Sequence, residues 1–137
     1  MHQIEIYIPG KAIAQSRPRF ARRGNHVATY DAAPSRDYKS WVKHCAIEVM
    51  NRKSMQIIPR DIPLKIILTV NVERPKSCPK SRTLPVTKPD LDNTLKTIQD
   101  ALEGIAYQAD QQIVSLSATK RYADSGGVTV VLTDWAA

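Results

Sequence analysis

Two aspartates separated by one residue lie where a proline-containing segment meets a helical pattern. Asp90 and Asp92 belong to the segment Lys88-Pro-Asp-Leu-Asp-Asn-Thr-Leu-Lys96. Pro89 disfavours helical geometry in the residue before it, so we expect an extended approach in which side chains two positions apart point the same way. Adjacent carboxylates repel each other unless a cation joins them, and hard oxygen ligands suit Mg²⁺ or Mn²⁺. The pair is therefore a candidate metal site.

The same two aspartates have an ordinary structural interpretation. Asp is a preferred helix N-cap residue, and Asp92 stands where the helical pattern begins. Asp90 would then be a turn residue. For an isolated pair of this kind, the structural roles are the favoured interpretation. Only the surrounding residues can favour a metal site.

Two further residues extend the candidate site. Lys96 follows Asp92 by one helical turn on the same face. It would hold a scissile phosphate or position water, or else form a salt bridge with Asp92 or Asp100. Asp110 comes after the helix and just before a predicted strand, where Asp is common as a turn residue. Whether Asp110 returns to the start of the helix depends on packing that the sequence does not determine.

Four segments have apolar residues at alternate positions, which is typical of β-strands. They are 4–8, 64–72, 114–118 and 128–132. The turn signal Asp124-Ser-Gly-Gly127 separates the last two, which we expect to pair as a hairpin. A second turn signal, Arg22-Arg-Gly-Asn25, predicts a loose hairpin over Arg19–Tyr30.

Two segments have apolar residues at helical spacing. The first begins at Pro34 and extends for about 15–18 residues, and the second runs from Asp92 to Glu103 and ends at Gly104. The fold class we expect is α+β: a small mixed sheet of about four strands with two amphipathic helices. Residues 1–137 would form a single domain.

Positive charge is in surplus, with 20 Lys and Arg against 13 Asp and Glu and a net charge of +7. Two stretches of basic residues contain no acid. The first holds Lys11, Arg17, Arg19, Arg22 and Arg23, and the second holds Arg74, Lys76, Lys80, Arg82 and Lys88. Such clusters can neutralise phosphates, although solvated basic loops are also common. The charge favours a polyanionic partner, and prolines in the second stretch predict a loop without packed structure.

The cysteines and the apolar segments bear on the cellular setting. Cys45 and Cys78 fit neither a disulfide framework nor a zinc spacing, which favours a reduced cytosolic setting. Cys45 falls on the apolar face of the first helix. No apolar segment is long enough to span a membrane, so we expect no membrane partner, and the first eleven residues do not resemble a signal peptide.

Several motifs, taken in order, resemble the RusA family of Holliday junction resolvases. The specific part is a central block made of Lys88-Pro-Asp-Leu-Asp-Asn-x-x-Lys96, Asp100-Ala-Leu102, Gly104, Asp110-x-Gln112-Ile113 and Lys120. The N-terminal part is also similar, through Gly10-Lys11, Arg17-Pro-Arg-Phe20 and Tyr30. Together these motifs cover most of the chain.

The resemblance implies a Mg²⁺-dependent endonuclease, with Mn²⁺ as an alternative ion, acting as a homodimer on four-way DNA junctions in recombination and repair. By position, Asp90, Asp92 and Asp110 would bind the metal and Lys96 would be the catalytic lysine. One departure is Ala109, because family members usually carry two acids before the x-Gln. The protein would be cytoplasmic and nucleoid-associated, encoded by a bacterium or a phage.

The expected mechanism is in-line hydrolysis that leaves a 5′ phosphate and a 3′ hydroxyl. Each subunit of a twofold dimer would nick one strand, and the paired symmetric nicks would resolve the junction. The residues expected to contact DNA are Lys11, Arg17, Arg19, Arg22, Arg23, Lys76, Lys80, Arg82, Lys88 and Lys120. The alternatives are a non-catalytic module that binds branched DNA and a nuclease that prefers flaps or RNA.

Overall fold

A computed structural model describes residues 2–14, 19–24, 26–30 and 33–135, with 19–23 and 26–30 described through their backbone. Its strands are β1 (Gln3–Pro9), β2 (Arg19–Arg23), β3 (His26–Tyr30), β4 (Leu64–Glu73), β5 (Ile113–Ala123) and β6 (Gly127–Asp134). Its helices are α1 (Ala33–Arg52) and α2 (Leu91–Leu102), and a short 3-10 helix spans Asp110–Gln112. No helix in the described part of the chain is long and apolar enough to cross a membrane.

The main sheet has four strands in the order β1-β6-β4-β5. The pair β4–β5 is parallel, and the pairs β1–β6 and β4–β6 are antiparallel. This mixed sheet with two helices confirms the expected α+β class. The loose hairpin is also confirmed, because β2 pairs with β3 from Arg19 opposite Tyr30 to Arg23 opposite His26.

The expected hairpin of the last two strands is wrong, because β4 lies between β5 and β6. On one side Leu64 pairs with Ile113, and on the other it pairs with Asp134. A strand with two neighbours and a covered face needs apolar residues, and β4 supplies them at every second position from Leu64 to Val70, all fully buried. The turn after Ala123 therefore crosses the end of β4, a span of about 10 Å.

Both helices cover the same face of the sheet. Alternate residues of β1, β4 and β6 are buried in one core together with Val42 and Ala46 of α1 and Ile98 and Leu102 of α2. Cys45 is buried on α1 as expected, and Cys45 and Cys78 are free thiols. Helix α1 has 20 residues and is longer than predicted.

The strand directions define two ends of the sheet. Strands β1, β4 and β5 run the same way, so Pro9, Glu73 and Ala123 lie at one end, which we call the carboxyl end. Gln3, Leu64 and Ile113 lie at the other, the amino end. Because α2 connects two parallel neighbours, it starts near the carboxyl end and runs back towards the amino end.

Candidate active site

The aspartate pair lies at the start of α2. Asp90 is the N-cap residue with extended backbone angles, and Asp92 lies in the first turn; both side chains are exposed. The cap is therefore Asp90 and not Asp92, and the helix begins one residue earlier than predicted. The Asp90 carboxylate does not cap the helix backbone; it accepts a hydrogen bond from Asn93 Nδ2 at 3.3 Å.

The backbone of Asp90 is fixed by Thr94, which is fully buried. Both the Thr94 amide, at 3.0 Å, and its hydroxyl, at 2.8 Å, donate to the Asp90 carbonyl oxygen. The hydroxyl thus adds to the ordinary helical hydrogen bond. The first turn of α2 holds the carboxylates of Asp90 and Asp92 at the surface without using them as caps.

Lys96 lies on α2 one turn after Asp92 and is exposed. Within the described part of the chain, Lys96 forms a salt bridge with neither Asp92 nor Asp100, the two partners considered from the sequence. Asp100 instead pairs with Lys39 of α1, with 3.6 Å between Nζ and Oδ2. Successive residues of a helix are rotated by about 100°. Asp92, Lys96 and Gln99 therefore lie in one narrow stripe along α2, and Glu103, the C-cap residue, lies at the end of this stripe.

Asp110 lies beside the far end of this stripe. Its backbone amide donates to Glu103 Oε2 at 2.7 Å, and its Oδ1 accepts from the Tyr107 hydroxyl at 2.8 Å. The same hydroxyl lies 3.1 Å from the Gln99 carbonyl oxygen. Burial raises the pKa of Asp110, and the negative charges of Glu103 and Asp100 add to this, while the Tyr107 hydrogen bond opposes it.

The three aspartates therefore do not form one cluster. Glu103 lies about 16 Å beyond Asp92 along the helix axis at 1.5 Å per residue, whereas the ligands of one Mg²⁺ ion lie about 2 Å from it. In line with this, the described residues contain no group of three His, Cys, Asp or Glu that could hold a metal ion. The pair Asp90–Asp92 alone still fits Mg²⁺, which is often held by one or two carboxylates together with substrate phosphates and water.

Lys120 supports the segment that leads to Asp90. Its Nζ donates to the carbonyl oxygens of Thr87 at 2.7 Å and Pro89 at 3.1 Å. The Lys88–Pro89 peptide bond is cis. Two of the three donors of the Lys120 ammonium are thus occupied by the protein, while the DNA contact inferred from the sequence stays a prediction.

Gln112 is a buried structural residue. Its Nε2 donates to the carbonyl oxygens of Pro59 at 2.8 Å and Ile62 at 3.0 Å, and its Oε1 accepts from the Ala109 amide at 2.9 Å. All of its strong hydrogen-bonding atoms are used to join the start of β5 to the segment before β4. Ala109, the departure from the family pattern, is itself buried.

The loop between β4 and α2 carries several of the predicted DNA contacts. Lys76, Lys80, Arg82 and Lys88 are all exposed. The expectation of a loop without packed structure is wrong, because Arg74 donates to the carbonyl oxygens of Arg82 and Pro79, each at 2.8 Å. Its guanidinium also lies 4.9 Å from the centre of the Tyr122 ring. A cation with several planar donors can organise a loop that has no helix or strand.

The other predicted DNA contacts lie before α1. Lys11 is exposed at the carboxyl end of the sheet and, with Lys88, lines a cavity of about 630 Å³ that Pro89 borders. Arg19, Arg22 and Arg23 lie on β2, where only the backbone is described, and Arg17 falls outside the described residues.

Sequence reasoning missed Tyr107, since nothing in its neighbourhood marks a buried tyrosine as a partner of Asp110.

Comparison with known proteins places these features in a family. The family model for endodeoxyribonuclease RusA matches residues 9–133. The chain belongs to the RusA family. The match includes both the Asp90–Asp92 pair and Asp110, and it makes this chain an endodeoxyribonuclease of a family that acts on branched DNA. The RusA-family chain is also 29% identical over 141 residues to the uncharacterized protein YqaN of Bacillus subtilis (strain 168), an alignment that covers 98% of each chain.

Proposed function

We propose that this protein is a Mg²⁺-dependent Holliday junction resolvase that cuts four-way DNA by paired symmetric nicks, in DNA recombination and repair. The observation that carries the proposal is the exposed Asp90–Asp92 pair in a RusA-family chain. Asp90 is the N-cap residue of α2, but its carboxylate makes no capping hydrogen bond and stays exposed. Lys96 lies one turn further along the same helix and has no ion-pair partner among the described residues.

Each of these residues would have a distinct part in the reaction. Asp90 and Asp92 would hold the divalent ion, Mg²⁺ or Mn²⁺, which when bound activates water and draws charge from the phosphate. Lys96 would stabilise negative charge on the phosphoryl oxygens. The exposed side chains of Lys11, Lys88 and the loop between β4 and α2 would bind the backbones of the junction arms.

A homodimer is supported by the separation of Asp110 from the other two aspartates. Asp110 lies towards the amino end of the sheet, and Asp90 lies at the carboxyl end. Two copies that run in opposite directions would bring the partner subunit's Asp110 towards Asp90 and Asp92. A twofold dimer would then have two complete sites, one for each strand that is nicked.

Cleavage of a synthetic four-way junction tests the reaction. We expect symmetric nicks with Mg²⁺, none with EDTA, and a loss on the order of 10²-fold or more in Asp92→Asn. Asp61→Asn, which changes an exposed aspartate in another loop, is the matched control and should cut normally. Tight binding of the junction by the wild type without cutting, in either Mg²⁺ or Mn²⁺, would overturn the proposal in favour of a binding module.

Mixed dimers test whether the site is shared. A dimer of one Asp92→Asn copy and one Asp110→Asn copy would keep one complete site if the partner subunit's Asp110 is used, since both changes would fall in the other site. It should therefore nick a single strand, whereas each variant alone stays inactive. If each copy holds a complete site by itself, the mixed dimer has no intact site and does not cut.

A further inference from the structure

The two most exposed large apolar side chains in the described part of the chain lie close together on the loop between β4 and α2. Val86 is 77% exposed and Leu84 is 59% exposed, whereas the other exposed residues of this kind lie between 40% and 55%. A single apolar residue at a surface is common and needs no explanation. Two that stand on either side of one buried residue form a candidate contact surface, which we call the apolar pair.

The backbone that carries the apolar pair is held from both sides. Before the pair, Arg74 Nη1 donates to the carbonyl oxygen of Arg82 at 2.8 Å. After the pair, Lys120 Nζ donates to the carbonyl oxygen of Thr87 at 2.7 Å. Pro85, between the two apolar residues, is buried. An ordered segment thus presents the apolar pair, so binding through it loses little conformational entropy.

The surroundings of the apolar pair are positively charged. No acidic residue occurs between Arg74 and Lys88. The exposed basic side chains of this stretch are Lys76, Lys80, Arg82 and Lys88. Such a loop attracts a polyanion, and since the chain belongs to a family of endodeoxyribonucleases, DNA is the polyanion that fits.

An apolar side chain needs a different part of the DNA from the one that a basic side chain needs. Phosphates attract the basic residues of the loop, whereas the apolar pair gains free energy only where it leaves water, as it does between base faces. Inside a continuous duplex, such an insertion has to break the stacking of a base step. At a branch point the stacking is already interrupted, so the same insertion costs less. An apolar pair among cations therefore favours branched DNA over duplex DNA.

We propose that Leu84 and Val86 enter the branch point of a DNA junction and pack against bases that are unstacked there. The basic residues around them hold the backbones of the arms. The contact tolerates any base, because every base has a face on which a side chain can pack. It selects the branched structure and not a sequence.

This inference rests on the proposed function for its catalytic meaning. Val86 precedes Asp90 by four residues, which span at most about 14 Å of extended chain. That distance corresponds to about four base steps of roughly 3.4 Å each. A branch point that holds Val86 therefore has phosphates of its strands within reach of the Asp90–Asp92 pair.

The first experiment compares binding to a synthetic four-way junction with binding to a duplex of the same arm sequence, in EDTA so that nothing is cut. Leu84→Asn combined with Val86→Thr keeps the size of both side chains and makes them polar. We expect this polar double variant to lose junction affinity by roughly 10-fold or more and to keep its duplex affinity. Leu84→Met combined with Val86→Ile stays apolar and should bind both DNAs as the wild type does.

Ile47→Thr is the matched control, at a residue that is 43% exposed on α1, and should also bind as the wild type does. An unchanged junction affinity in the polar double variant would overturn the proposal. An equal loss on junction and duplex would also overturn it, because the apolar pair would then contact the arms. A lower mass of the polar double variant in light scattering would assign the apolar pair to a contact between protein copies and would reject the DNA contact.

A second experiment reads the bases directly. The base analogue 2-aminopurine fluoresces more strongly when it is unstacked. Placed at the branch point, it should brighten when the junction is saturated with wild type and brighten much less with the polar double variant. The same analogue in the middle of an arm should respond to neither protein. Equal brightening at the branch point by both proteins, or none with the wild type, would show that the apolar pair does not reach the bases.

Neither measurement uses cleavage, so the two proposals can fail separately. A wild type that prefers junctions through the apolar pair but never cuts them would leave this inference standing and reject the resolvase. A wild type that cuts junctions, together with a polar double variant that binds them equally well, would do the opposite.

Discussion

The ammonium group of Lys120 lies 3.1 Å from the carbonyl oxygen of Pro89, the residue immediately before Asp90. A second bond of 2.7 Å joins it to Thr87. The strand β5 thus fixes the approach to α2, although Lys120 and Asp90 are 30 residues apart. The position of the acidic pair depends on this strand as well as on the helix that carries it.

Replacing Lys120 should slow cleavage more than it weakens binding. Lys120→Met removes both carbonyl contacts, so the Asp90 segment can shift, and small displacements of reacting groups cost about 10²-fold in rate. We expect this loss in the single-turnover rate at saturating junction, with Lys120→Arg partly restoring it. Arg121→Met changes the neighbouring cation, which bonds Asn71, and serves as the control. Weaker binding with an unchanged saturated rate would instead make Lys120 a DNA contact.

The loop between β4 and α2 should contribute to the salt dependence of DNA binding. Removing a basic side chain that neutralises one phosphate lowers the slope of log affinity against log salt by about 0.9. Combined replacement of Lys76, Lys80 and Arg82 by Gln should therefore lower the slope by up to about 3. The control makes the same change at three exposed basic residues of α1 and the following turn, Lys43, Arg52 and Lys53. Equal slopes for the two triple variants would show that the loop does not bind phosphates.

The raised pKa of Asp110 predicts a stability difference that depends on pH. Because its pKa is higher in the folded state than in the unfolded state, the folded state binds the proton more tightly. The stabilisation from this tighter binding is fully present at pH values below the ordinary pKa of an aspartate. It is lost as pH rises through the raised pKa of Asp110. Asp110→Asn lacks this loss. The free energy of unfolding of Asp110→Asn, relative to that of the wild type, should therefore increase as pH rises from acidic to neutral values.

Urea denaturation across this pH range measures the difference. Tyr107→Phe removes a hydrogen bond that lowers the pKa of Asp110, so it should move the pH-dependent loss to higher pH. Asp61→Asn is the control and should follow the wild type. The free energy of unfolding of Asp110→Asn minus that of the wild type should increase with pH, and a difference that decreases as pH rises would contradict the assignment.

Gln112 should matter for stability because it is buried and fully bonded. Gln112→Leu would leave the buried amide of Ala109 without its acceptor and the carbonyl oxygen of Ile62 without this donor. The carbonyl oxygen of Pro59 would keep its hydrogen bond from the Ile62 amide. Each buried polar group left unpaired costs about 1–3 kcal/mol, so unfolding in urea should occur at clearly lower concentration. Gln111→Leu, at the exposed neighbouring position, should have little effect. Equal midpoints for the two variants would mean that the Ala109 amide and the Ile62 carbonyl group find other partners.

Local patterns in the sequence determined much of this protein. Alternating residues predicted the four strands of the main sheet, and helical spacing predicted α1 and α2, because each pattern reflects which side of one element faces the core. The boundary between Pro89 and α2 was also predicted to within one residue. The residue types around Asp90 and Lys96 also suit a metal and a phosphate, and this chemistry stays a prediction.

Pairings between distant elements were decided only in the tertiary structure. The turn before Gly127 has the residues of a hairpin, yet β4 lies between the two strands, because the strand with the most complete apolar pattern gains most from two neighbours. The same arrangement puts Asp110 and Asp90 at opposite ends of the sheet, although they are only 20 residues apart. Spacing along the chain cannot reveal this, since α2 carries the chain back along the sheet and its length sets the separation of the two carboxylates.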